Sequence, residues 1–112
     1  MPAASVDLLQ GTLEFLILRT LSWGPLHGFA IARWIRTITD DALEIEEGAL
    51  YPALHRMERR GWIAAEWGVT ENNRRAKYYD ITRLGRQQLR VEETSWTRYV
   101  TAVSKIMAAS RA

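Results

Sequence analysis

The chain has 112 residues, no cysteine, five tryptophans and a net charge of +2 at pH 7; this fits one domain of ordinary size and excludes disulfides and thiolate metal ligands. The longest apolar run, LEFLILRTL, is broken by charges and too short to cross a membrane, and MPAASVDLL lacks the pattern of a signal peptide, so a cytoplasmic protein is expected. Charge is uneven: residues 1–54 carry −4, residues 55–90 carry +5 and residues 91–112 carry +1, and a basic middle on a near-neutral chain points to an anionic partner.

In LLQGTLEFLILRTL (8–21), Leu9, Leu13, Leu16, Ile17 and Leu21 form one helical stripe, with Asp7 or Thr12 as the cap. SWGP (22–25) stops that helix. A second helix is expected from about Leu26 to Ile38, with Phe29, Ala32 and Ile35, joined by Ile31 and Ile38, on its inner face. Thr39-Asp40-Asp41 reads as a turn, and Leu43-Glu44-Ile45-Glu46 alternates like a very short strand.

The third helix, residues 50–60, contains Pro52, which a helix interior does not welcome. With Ala49 as N-cap, Pro52 falls at the third helical position, where the missing N–H has no intrahelical acceptor anyway. Leu50, Leu54 and Met57 then point inward, while Pro52, His55, Arg56 and Arg59 face outward with Arg60 on the flank. Bare N–H groups at a helix start attract phosphate, and arginine suits bidentate contact with phosphate or guanine. Gly61 closes the helix as a C′ residue.

WIAAEW (62–67) and AKYYDI (76–81) read as two strands joined by the polar loop GVTENNRR, which places Asn73, Arg74, Arg75 and Lys77 at or beside a hairpin tip. Thr82 caps a last helix reaching about Ala108, on which Leu89, Trp96, Tyr99, Val100, Val103 and Ile106 recur at helical spacing. Three helices and a two-stranded hairpin make a mainly α (α+β) winged helix-turn-helix plan, in which the second helix of the pair enters the DNA major groove. The expected division is a DNA-binding domain at residues 1–81 and a dimerisation helix at residues 82–112.

EGALYPALHRMERRGWIAAEWG followed by NNRRAKYYDIT, together with LLQGTLEFLILRTLSWGPLHGFAIA and the single long C-terminal helix, resembles the PadR-like transcriptional regulators. The resemblance spans roughly residues 8–105 and is closest to the short subfamily with one C-terminal helix. It implies a dimeric repressor on a palindromic double-stranded operator. Tyr51, Pro52, Arg56, Arg59, Arg60, Asn73, Arg74, Arg75 and Lys77 would contact DNA, and the last helix, helped by the first, would form the dimer. It further implies that Trp96, with Phe15 near it, takes a planar aromatic effector; plain packing of Trp96, Tyr99 and Val103 in a dimer seam is the competing reading. Two departures stand out: Ala49 replaces a usual Ser or Thr, at a cost of about 0.5–2 kcal/mol if it is the cap, and Asp80 lowers the positive potential beside the wing.

Other chemistry finds little support. His55 and Glu58 share a helix edge but lack a third ligand, so no metal is expected, and His27 reads as a structural or capping residue. No nucleophile motif or Gly-rich phosphate loop occurs, so neither an enzyme nor a cofactor is expected. The alternative from another class is a winged-helix protein-interaction module.

Overall fold

The structure, a computed structural model, describes residues 11–111. The order is α1 (Thr12–Leu21), β1 (Leu26–His27), α2 (Gly28–Ile38), α3 (Glu47–Arg59), β2 (Ile63–Val69), β3 (Arg75–Ile81) and α4 (Arg83–Ala108). One antiparallel sheet runs β1-β3-β2. The three short helices and this sheet enclose a core of Ile17, Leu18, Leu21, Ile31, Ile35, Leu50, Leu54, Met57, Ile63 and Ile81. Each large aliphatic buried there contributes about 1.5–3 kcal/mol.

The first helix starts at Thr12 behind a left-handed Gly11, so Thr12 lies inside the helix instead of capping it; Asp7 and Leu9 lie outside the described residues. The second helix starts two residues later than expected. Leu26 and His27 pair with Tyr79 and Tyr78 of β3 and form the third strand of the sheet. His27 then caps α2, its Nδ1 accepting a hydrogen bond from the Ala30 N–H at 3.2 Å. Ile31 and Ile35 are buried, but Phe29 and Ile38 are 65 % and 60 % exposed. Phe29 lies well round the helix from the 31/35 stripe, and Ile38 is its last residue.

Residues 43–46 form no strand; Ile45 drops into the core from an irregular segment. The turn before it is real: Asp40 and Asp41 both have positive φ, and the Thr39 hydroxyl accepts from the Leu43 N–H while donating to the Ile35 carbonyl. Alternation alone could not separate this segment from a strand.

Pro52 lies three residues deeper in its helix than expected. α3 begins at Glu47 with Glu46 as N-cap, not at Ala49, so Pro52 is the sixth helical residue. The Ala49 and Leu50 N–H groups both reach the Glu46 carbonyl. Pro52 therefore deletes an interior bond, the one to Gly48. Gly48 is exposed, so water can satisfy its carbonyl. The missing hydroxyl at Ala49 accordingly costs no cap. At the other end Gly61, at φ 76°, sits in the left-handed region; its N–H bonds the Glu58 carbonyl and the Trp62 N–H bonds the Met57 carbonyl, a closed C-terminal motif.

The hairpin and the last helix follow expectation closely, with the Thr82 hydroxyl accepting from the Gly85 N–H at 3.0 Å. Leu89 is a correction. It is only 6 % exposed and packs in the core of its own chain, so it is not part of a free dimer seam. Trp96 still lies beside Phe15 of α1, and residues 97–108 are all exposed.

Candidate nucleic-acid interface

Burial of Leu50, Ala53, Leu54 and Met57 fixes the rotation of α3. Pro52, His55 and Arg59 then form an outward stripe at spacings of three and four, and all three are exposed. Arg60 is exposed beside them, its guanidinium 5.0 Å from the centre of the Trp62 ring. Tyr51 is 41 % exposed, and its ring edge lies against the start of α2: a Cβ on Gly28 would sit 2.9 Å from it. Tyr51 therefore sets the approach of α2 to α3 while its free side faces outward.

Arg56 is turned aside. Its guanidinium donates to Glu14 of α1 at 2.6 Å, and the Glu14 side chain is 18 % exposed. Burial pushes the Glu14 carboxyl up, but the Arg56 hydrogen bond and the charges of Arg56 and Arg60 outweigh it, leaving the carboxyl below its usual range. Arg56 thus joins two helices, whereas Arg59 makes no ion pair or side-chain hydrogen bond among the described residues. The helix start is also poorer for anions than expected, because Glu46 and Glu47 occupy it. Positive charge on α3 comes from its second half.

Because the Glu14 pKa is depressed, the pair's stabilisation is complete above the ordinary glutamate value of about 4.3 and fades as pH falls through and below it. Glu14→Gln should cost about 1 kcal/mol at neutral pH. Urea midpoints of both proteins should converge on acidification; a constant gap would contradict the pairing.

The wing presents a second basic surface. Thr70 and Arg74 close the tip through a backbone bond of 2.8 Å, and Asn73 takes the left-handed conformation at φ 60° that asparagine tolerates. Asn73, Arg74 and Arg75 are exposed. Lys77 donates to Glu58 of α3 at 3.2 Å, so this face of the hairpin looks toward α3. Burial pushes the Tyr79 phenol up, with the Lys77 charge opposing. Through Glu58, Lys77 ties the wing to one flank of α3. The roles of Glu14 and Glu58, which order two of the predicted basic residues, are not legible in the sequence, since their partners are 42 and 19 residues away; Glu58 stands out there only beside His55.

A second feature lies between α1 and α4. Thr12, Phe15, Glu92, Ser95, Trp96 and Tyr99 line an open groove of about 410 Å³. The Phe15 and Trp96 rings are 6.4 Å apart and the Trp96 and Tyr99 rings 6.1 Å.

The model of the transcriptional regulator PadR-like family matches residues 17–91, which take in the helix-turn-helix, the wing and the first third of α4. The chain belongs to that family. This PadR-like regulator is 31 % identical to a transcriptional regulator from Clostridium thermocellum, over 89 % of this chain and 97 % of the other, with a TM-score of 0.79. A PadR-like transcriptional regulator from Bacillus cereus gives 27 % identity over 91 % and 97 %, also with a TM-score of 0.79. A protein of Lysinibacillus sphaericus, called uncharacterized, is 29 % identical over 90 % of this chain and 93 % of its own. The family comprises regulators of transcription. No described helix of this PadR-like regulator is long and apolar enough to cross a membrane.

Proposed function

We propose that this PadR-like regulator is a homodimeric repressor that reads a palindromic operator. The observation that carries this reading is an exposed basic end of α3, Arg59 and Arg60, beside a basic wing, Arg74, Arg75 and Lys77, that Lys77 ties to α3 through Glu58. Pro52, His55 and the free side of Tyr51 approach base edges, while Asn73 and the wing cations meet the backbone or the adjacent minor groove. Arg56, held by Glu14, orients α3 and offers at most one edge to a phosphate. A dimer seated on its operator excludes other proteins from that stretch of duplex, which is the simplest route to repression, and such a partner places the protein in the cytoplasm.

The dimer arm is α4. Trp96, Tyr99, Val100, Val103 and Ile106 are 37–74 % exposed on a helix whose last three turns are exposed throughout. A helical stretch without tertiary support is marginal in water, so these residues need a partner. We assign them to a second copy, with residues 1–81 as the DNA-binding unit and residues 82–112 as the arm, anchored by Gly85 and Leu89. The groove between Phe15 and Trp96 suits a planar aromatic effector, which would act by changing the angle of the arms.

The test is retention of random-sequence duplex in a gel shift over a salt series. Retention should fall steeply as salt rises, because phosphate contacts release counterions. Salt-independent retention, or none at low salt, contradicts the reading.

A further inference from the structure

Trp67 lies on β2 with Lys77 as its register partner on β3, and Val69 faces Arg75 one step closer to the tip. Strand alternation puts Ile63, Ala65, Trp67 and Val69 on one face. Ile63 closes the core, but Trp67 and Val69 run past it and are 58 % and 63 % exposed. This is the face that Lys77 ties to α3 through Glu58. The Arg75 guanidinium lies over this exposed ring, 4.7 Å from the ring centre.

We propose that Trp67 is a positioning residue for Arg75, holding its guanidinium flat against the ring so that its outer edge is presented to the DNA backbone. An arginine at an exposed hairpin loses much side-chain freedom when it grips a phosphate. Stacking spends that freedom beforehand, and a guanidinium stacked through its face keeps its N–H edge open for bidentate contact. Lys77 is held chiefly by Glu58 at 3.2 Å, with the Tyr79 ring farther off at 5.7 Å. The wing therefore carries two cations oriented by different means, one by a carboxylate of α3 and one by an aromatic ring of the neighbouring strand β2.

This role rests on the reading of the wing as a DNA contact, and the experiment separates the two. Affinity for a random-sequence duplex at fixed low salt is measured for the parent, Trp67→Ala, Trp67→Leu, Trp67→Tyr, Arg75→Ala and the Trp67→Ala/Arg75→Ala pair, with thermal denaturation confirming the fold of each. Trp67→Ala and Trp67→Leu should weaken binding about 10-fold, counted over two wings per dimer. Trp67→Tyr should restore most of it, and the pair should bind like Arg75→Ala alone. Losses from Trp67→Ala and Arg75→Ala that multiply, or full affinity in Trp67→Leu, overturn the positioning role while leaving the wing reading in place. Full affinity in Arg75→Ala overturns both.

Discussion

Replacing Arg75 and Lys77 together by alanine should weaken duplex binding by about a thousand-fold while leaving the fold standing. Each dimer would lose four charge-assisted contacts. At a conservative value of about 1 kcal/mol each, the loss is about 4 kcal/mol, and each 1.4 kcal/mol is a factor of ten. The slope of affinity against salt should shrink as well, by about one unit for each phosphate contact removed. Stability should change little. Arg75 is exposed and stacks on Trp67, and the Lys77–Glu58 pair is about a third exposed on both sides, a class of interaction worth under about 1 kcal/mol. Gel-shift titration with a denaturation control reads both quantities. A double variant that binds like the parent removes the wing from the interface, and one that fails to fold shows that Lys77 and Glu58 do more for stability than their exposure allows.

The second large effect belongs to α4. Val103→Asp would place two carboxylates near the two-fold axis of an arm-to-arm seam, where like charges in a desolvated setting cost several kcal/mol. The dimer dissociation constant should rise at least about 100-fold. Sedimentation at low micromolar concentration should show the monomer, and operator binding should fall with it, because one chain holds only a half-site. The body should stay folded, since Val103 lies on the exposed stretch of α4 and contributes nothing to the core. Trp96→Ala should move the equilibrium in the same direction by less, because Trp96 also packs beside Phe15 and Tyr99 of its own chain. An unchanged sedimentation profile for Val103→Asp would place the seam elsewhere.

Periodicity made the helices and the hairpin readable from the residues, because Leu50, Leu54 and Met57 or Ile63 and Ile81 alternate with polar neighbours at the right spacing. Boundaries were less readable. Ala49 looked like a cap because Pro52 is easiest to place in a first turn, yet burial of Leu50 and Ala53 favoured a longer helix and an exposed Gly48 carbonyl made the lost bond cheap. Leu26 and His27 read as helix until β3 offered them an edge, which no local pattern announces. The basic residues of the site were legible as a set, but their individual roles were not. Arg56 looks no different from Arg59 in the sequence, and only the fold brings Glu14 to one and leaves the other open. Leu89 shares the spacing of the exposed α4 residues, and only the packing of the first turns of α4 against the body separates it from them. Long-range pairing of charges and the point where a helix leaves its own core are properties of the assembled chain.

Selection of bound sequences from random double-stranded DNA tests the central claim most directly. The account predicts one enriched motif with two-fold symmetry, its half-sites about 10 base pairs apart centre to centre, as required when two recognition helices enter successive major grooves. Recovery of no enriched sequence, or of a single unrepeated half-site bound by one chain, would contradict it and favour a winged helix that docks on protein instead.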